Sequence, residues 1–154
     1  MPSGLVAIDI HAASEDVFDL VHDYSRRLEW DPFLREARLL DGAEVAGTGV
    51  KSRCVARRSV GRFAMDTVYV TFTRPTVAAV SMTRGPWFLR AFGASIRHDT
   101  ISDGSVRVTY RYTFKACPRL LAFLIEPVVQ LVFRRETSSR LLALKHFVEH
   151  GAPE

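Results

Sequence analysis

The stretch from Pro118 to His150, PRLLAFLIEPVVQLVFRRETSSRLLALKHFVEH, is the only segment long enough to cross a domain of 154 residues in one piece, so the rest of the chain has to be arranged about it. From Val128 onward, Val129, Phe133, Leu141, Leu144 and Val148 recur at three- and four-residue spacings. Thr137 completes the same face, while Arg134, Arg135, Arg140 and Lys145 fall largely off it. That period predicts an amphipathic helix with one face to bury. Pro127 lacks an N–H and its ring crowds the preceding turn, so Pro118 to Glu126 is expected as a separate short helix or a kinked extension. Pro118 suits a first helical position and Gly151 a stop. The apolar run from Leu120 to Phe133 is interrupted by Glu126, Pro127 and Gln130 and ends at Arg134-Arg135. It falls short of the roughly 20 residues a membrane span requires. It reads as a buried or ligand-lining helix, with an interfacial helix lying on a bilayer as the alternative.

A chain of this length is expected to form one domain over residues 1–154, burying roughly two-thirds of its unfolded surface and sparing room for a pocket. Hydrophobic residues make up 47% of it, which places it among globular chains. The formal net charge of +4 raises the question of nucleic acid or an anionic surface. The cations, however, are almost all arginine and are interleaved with 17 acids along the whole chain, which points to a solvated mixed-charge surface and no nucleic-acid partner. Cys54 and Cys117 are too few and too far apart for a disulfide framework or a CxxC site. A reducing cytoplasm follows as the expected location, consistent with an N-terminus that shows no charged leader and apolar core.

Along the chain, Leu5 to Ile10 alternates Leu5, Ala7 and Asp9 against Val6, Ile8 and Ile10 and predicts a strand. Ser14 with Glu15 and Asp16 supplies an N-cap oxygen and first-turn carboxylates for a helix reaching about Tyr24. A second short helix is expected around Ser25 to Glu29, and Asp31 is pushed out of it by Pro32. A strand restarts near Leu34 to Leu40, turn residues occupy Asp41 to Gly49, and five further strands follow at hairpin spacing: Val50 to Val60, Arg62 to Arg74, Thr76 to Thr83, Phe88 to Thr100 and Ser105 to Ala116. The last shows the clearest alternation, with Val106, Val108, Tyr110, Tyr112 and Phe114 on one side and Arg107, Thr109, Arg111, Thr113 and Lys115 on the other. One face is therefore buried and one wet, as in an antiparallel sheet covered on one side. The long helix is the element able to fill the concave face of such a curved sheet.

The opening IDIHAASEDVFDLVHDYSRRLEWDPF, the sheet after it and the closing LLALKHFVE together resemble the START-like superfamily, the SRPBCC or polyketide cyclase/dehydrase group, over essentially Leu5 to Glu149. The resemblance implies an α+β helix-grip fold: a curved antiparallel sheet of about seven strands wrapped around a long C-terminal helix, with two short helices after the first strand. It also implies an elongated apolar cavity under that helix, used in the group for lipids, quinones, hormones or polyketides. Residues expected on the concave face are larger or softer than packing alone selects: Cys54, Met65, Tyr69, Met82, Phe92, Tyr110 and Tyr112 from the strands, Thr137 and Leu141 from the helix. Hydroxylated aromatics and thioethers suit a site that surrounds an apolar ligand and fixes it through a few polar contacts. Ordinary core packing accounts for the same residues singly. A continuous pocket of roughly a few hundred Å³ is the corresponding expectation.

Trp30 and Phe33 flank Asp31-Pro32, and they either line the cavity mouth or pin that corner. Gly85-Pro86-Trp87-Phe88 sets two large aromatics beside a turn, as a gate, a membrane-touching tip, a subunit contact or rings folded back on the core. Polyketide aromatase/cyclases of the group position a poly-β-ketone with arginines, tyrosines and a tryptophan. Arg58, Arg90, Tyr69, Tyr110 and Trp30 are the counterparts in kind here, although a one-residue slip would exchange Arg58 for Arg57. The string His146-Phe147-Val148-Glu149-His150 matches an inverted zincin pattern but has no downstream third ligand, and it reads as coincidence. The sequence thus predicts binding of a small hydrophobic molecule without cofactor or metal. A polyketide cyclase or dehydratase and a lipid or quinone carrier in transient membrane contact are the alternatives, and monomer and homodimer are both left open.

Overall fold

The computed structural model describes residues 2–151. Its elements run β1 (Ser3–Ile10), α1 (Ser14–Val21), α2 (Arg27–Trp30), β2 (Leu34–Leu39), β3 (Lys51–Ala56), β4 (Ala64–Thr73), β5 (Val77–Arg84), β6 (Leu89–Ser102), β7 (Ser105–Ala116) and α3 (Ala122–His150). The strands form one seven-stranded sheet in the order β1-β7-β6-β5-β4-β3-β2, with antiparallel neighbours throughout. Hairpin connections explain the consecutive run from β2 to β7. β1 closes the other edge against β7, pairing Ile10 with Val106 and Gly4 with Tyr112. Register shifts lie in the β2–β3, β4–β5 and β6–β7 ladders, and bulges of this kind increase local twist. The result is the helix-grip α+β architecture, with α3 laid along the concave face.

The alternation in β7 is realised: Val106, Val108, Tyr112 and Phe114 are buried, and Arg107 and Arg111 are exposed. On α3 the buried side chains are Val129, Phe133, Thr137, Leu141, Leu144 and Phe147, one face at three- and four-residue spacing. They divide the interior in two. Leu141, Leu144 and Phe147 pack with Ile10, Val17, Phe18, Val21, Val106 and Val108, whereas Val129 and Phe133 pack with Leu89, Tyr112 and Phe114. Burying each of these large side chains contributes about 1.5–3 kcal/mol. Gly4 is required where it stands, because the Tyr112 ring lies across it and a Cβ there would overlap the ring.

Several local expectations are corrected. The strand expected over Val50 to Val60 ends at Ala56, and the chain makes a 3-10 turn over Arg58–Val60 that Gly61 closes at φ 100°. The other strand ends shift by one or two residues. Ser14 is not the cap of α1 but its first, buried residue, with Ala13 extended before it; the Ser14 Oγ accepts a hydrogen bond from Thr100 Oγ1 at 3.2 Å. Pro127 does not divide the C-terminal helix. α3 is continuous through it, and only a 3-10 turn over Arg119–Leu121 stands apart, with Pro118 as its extended cap rather than a first helical residue. A single lost hydrogen bond near a helix start is outweighed by the buried face that follows it. Gly151 ends α3 as expected, at φ 83°.

Candidate functional site

Between the two apolar clusters lies a cavity of about 140 Å³. Its sheet wall comes from Cys54 and Ala56 on β3, Met65, Thr67 and Tyr69 on β4, Ala78 and Val80 on β5, Phe92, Ala94 and Ile96 on β6, and Tyr110 and Tyr112 on β7. Phe133, Glu136, Thr137, Arg140, Leu141 and Leu144 of α3 cover it, and His22, Tyr24, Arg27, Trp30 and Phe33 close one side. Of the residues singled out from sequence, Trp30, Phe33, Cys54, Met65, Tyr69, Phe92, Tyr110, Tyr112, Thr137 and Leu141 are brought together on this wall. Met82 is not. It follows Ala78 and Val80 along β5 but packs into the cluster around Phe114, Val129 and Phe133, with its sulfur against Gly85. The volume is also smaller than expected, because Phe133 fills one end, meeting Phe92, Tyr112 and Phe114 at ring separations of 5.5–5.7 Å.

The polar part of the wall is organised by Asp31, whose side chain has no exposure. Its carboxylate accepts from Arg27 Nε at 3.0 Å, from Arg140 Nη2 at 2.9 Å and from the Phe33 N–H at 3.0 Å. Local chemistry fixes the arrangement. Arg27 and Asp31 sit four apart across α2, and Pro32 holds Asp31 extended, so that its side chain turns back onto the following N–H. Burial alone would raise the Asp31 carboxyl, but Arg140 and Arg27 outweigh it and hold the group below the usual carboxylate range. Burial likewise opposes the charge on Arg27 and Arg140, and the Asp31 carboxylate more than restores it in both. The guanidinium of Arg27 lies over the Trp30 ring at 5.0 Å and that of Arg140 over the Phe33 ring at 5.1 Å. One carboxylate faces two guanidiniums and Glu136 is offset by Arg57 at 2.9 Å, so this side of the cavity carries a net positive charge.

A second polar group is a chain of hydrogen bonds running from the residues after α1 onto β3 and β4. His22 Nδ1 lies 2.7 Å from Tyr69 Oη, Tyr69 Oη lies 3.2 Å from Tyr24 Oη, Tyr24 donates to Ser52 Oγ at 3.2 Å, and Ser52 meets Thr67 Oγ1 at 2.9 Å. Each hydroxyl has one proton to give. Because Tyr24 gives its own to Ser52, Tyr69 donates to Tyr24 and His22 donates from Nδ1 to Tyr69. That assignment leaves the Nε2 lone pair of His22 free, and Nε2 has no partner among the described residues. Burial, with Arg27 and His98 adding to it, lowers the His22 imidazole to about 3, so the ring is neutral at physiological pH. Burial pushes the Tyr69 hydroxyl far above its ordinary value. Trp30 Nε1, Tyr112 Oη and Glu136 Oε2 are also buried and unpartnered.

Arg57 ties the rim together, donating from Nη2 to Glu136 Oε1 at 2.9 Å and from Nη1 to the Pro32 carbonyl at 2.8 Å. Of the two adjacent arginines it is Arg57 that turns toward α3. Arg58 is exposed on the 3-10 turn, and Arg90 is exposed on β6, so neither reaches the cavity. Phe88 folds back against Phe63 at 5.6 Å, whereas Trp87 stays 76% exposed. The rings of His146 and His150 lie 4.9 Å apart, but Glu149 between them is taken by the His11 N–H and Lys145. No cluster of three His, Cys, Asp or Glu side chains able to hold a metal occurs among the described residues. Arg27, Arg140, Glu136, His22 and Tyr24 were not anticipated. Arg27 and Asp31 at four-residue spacing were the one available signal. Arg140, expected largely off the buried face, lies at the edge of the buried stripe, and its long stem carries the guanidinium inward.

A curled seven-stranded antiparallel sheet gripping a C-terminal helix over a partly polar cavity defines a START-like protein. The chain belongs to the family described as polyketide cyclase/dehydrase and lipid transport, whose pattern matches residues 1–149. No curated protein sequence matches. Among solved structures, a START superfamily protein from Mycobacterium smegmatis is similar with TM-score 0.76 at 13% identity, covering 96% of this chain and 97% of that one. The ZhuI aromatase/cyclase from Streptomyces sp. R1128 gives TM-score 0.76 at 14% identity over 96% and 93%. Norcoclaurine synthase from Thalictrum flavum, solved with dopamine and hydroxybenzaldehyde, gives 0.70 at 11% identity over 99% and 89%. At these identities the likeness establishes the fold.

Proposed function

We propose that this chain binds a small, mainly apolar molecule carrying one or more hydrogen-bonding oxygens, with its apolar body between Phe92, Ile96 and Leu141 and its oxygens toward Arg27 and Arg140. The observation that carries this reading is the pairing of an apolar cavity with buried polar atoms on His22, Trp30, Tyr112 and Glu136 that have no protein partner. Each unpartnered buried group costs about 1–3 kcal/mol, a cost that a ligand bearing matching donors and acceptors recovers. The net positive charge beside Asp31 favours an electron-rich oxygen such as a ketone, enolate or carboxylate. Gently purified protein analysed by native mass spectrometry is expected to carry a small molecule that is released on denaturation. Thr137→Phe, which fills the middle of the cavity, is expected to carry none while remaining folded. Wild type free of ligand, and unable to take up apolar fluorescent probes, would overturn the reading.

A cyclase or dehydratase reading is favoured by one further observation, the 2.7 Å His22–Tyr69 contact between two residues of the cavity wall, with the His22 Nε2 unpartnered among the described residues. A pair of strongly perturbed groups in a pocket is what acid/base chemistry on a poly-ketone uses. The ZhuI protein is an aromatase/cyclase of the same fold. On this reading His22→Ala and Tyr69→Phe abolish turnover of a poly-β-ketone analogue and leave its binding within a few-fold of wild type. Equal loss of binding and turnover in both variants would return the pair to a purely structural role.

A further inference from the structure

The outer face of α3 is anomalous at its start. Leu120 and Leu121 of the preceding 3-10 turn and Phe123, Leu124, Val128 and Leu131 of the helix are all exposed, with Leu120 at 88% and Phe123 at 71%. Positions 120, 124, 128 and 131, with 123 beside them, stack on one side of a helix of 3.6 residues per turn. Trp87 projects beside them from the Gly85–Phe88 turn and joins Leu124 and Val128 in the wall of an open, almost wholly apolar groove of about 350 Å³. Contiguous apolar surface on this scale marks an interaction site. Its surroundings are basic. Arg134 and Arg135 occupy the next turn of the same face, Arg119 stands at its start, and Arg84 and Arg90 flank Trp87. All five are exposed and none forms an ion pair among the described residues. Phe63 and Phe133 line both this groove and the interior cavity, so the face lies against the cavity's Phe133 end.

We infer that this face docks on an anionic lipid bilayer, with Trp87, Phe123, Leu124 and Leu131 entering the headgroup region and the five arginines meeting lipid phosphates and carboxylates around them. Apolar residues ringed by arginines match an anionic interface, where wedge and collar act together. A second copy of the chain would bring the two collars into mutual repulsion, which argues for lipid over a homodimer. Docking is independent of what occupies the cavity, so its failure and the failure of the ligand reading are separately visible. The test is sedimentation of full-length protein with vesicles of phosphatidylcholine containing 30% phosphatidylserine, set against vesicles of phosphatidylcholine alone. Trp87 emission is followed in parallel, Trp30 being buried. Binding to the anionic vesicles, a blue shift of emission and at least tenfold weakening between 0.05 and 0.5 M salt are expected. Phe123→Asp and the double variant Arg134→Glu/Arg135→Glu, all at exposed positions, are each expected to weaken binding at least tenfold without changing the circular dichroism spectrum. Absence of binding at low salt, equal binding to neutral vesicles, or binding indifferent to these variants would overturn the inference. So would a stable dimer in analytical ultracentrifugation that Phe123→Asp converts to monomer.

Discussion

Asp31 is the residue on which the site's electrostatics turn. Its carboxylate is fully enclosed, joins α2 to α3 through two arginines and holds the Trp-Asp-Pro corner through the Phe33 N–H. A buried ion cluster is weak evidence of net stabilisation, since desolvation offsets the attraction, but removing one member strands the others. Asp31→Asn keeps the shape and leaves two buried guanidiniums without a counter-charge. The expected loss is about 3–5 kcal/mol in urea denaturation at neutral pH. Asp31→Asn combined with Arg140→Met, which removes one of the stranded charges, should recover part of it. A single variant as stable as wild type would show that water or another acid neutralises the arginines.

At the scale of elements, the chain's regular periods were legible and its interruptions were not. β7 and the buried face of α3 declare themselves because every second or every third and fourth residue is apolar over several turns of pattern. Of the ten cavity-wall residues named from sequence, Tyr110, Tyr112, Thr137 and Leu141 lie on those two elements. Met82 shares the parity of Ala78 and Val80 yet lies beyond the cavity, since alternation fixes the face a side chain occupies and not its distance along the strand. The Asp31–Arg140 contact spans a separation of 109 residues, which no local pattern encodes. Pro127 shows the opposite failure, a strong local rule overridden. It is the sixth residue of α3, beyond the first turn where a missing N–H is free of cost, so the Phe123 carbonyl loses its i+4 donor. Pro127→Ala should therefore stabilise the fold by ~1–2 kcal/mol in urea denaturation, the regained bond exceeding the added freedom of the unfolded chain. A destabilised variant would mean that the proline is needed to direct the 3-10 turn into the helix.

Over the whole molecule, α1 is clamped to the sheet by aromatic packing that encloses two histidines. Phe18 meets His22 at 4.5 Å and His98 at 5.2 Å, and neither nitrogen of the His98 ring has a partner among the described residues. Burial holds His98 at about 4 and His22 at about 3, both below the 6.5 of an imidazole in an unfolded chain. Above that value both states are neutral and these rings add no slope. As pH falls from 6.5 toward 4, the unfolded chain takes up protons that the folded interior refuses, so stability falls, by at most about 1.4 kcal/mol per pH unit for each ring. The midpoint of urea denaturation should hence be level between pH 7 and 8 and decline continuously from 6.5 to 4.5. Asp31 contributes nothing to that window, since its carboxyl is held below the ordinary range and loses its stabilising charge only at lower pH. His98→Phe places a similar ring against Phe18 without the titrating nitrogens and should reduce the slope, leaving His22 and, toward pH 4.5, Glu149, whose carboxyl the His11 N–H and Lys145 hold below its ordinary value. An unchanged slope in His98→Phe would assign the acid sensitivity to groups outside this clamp.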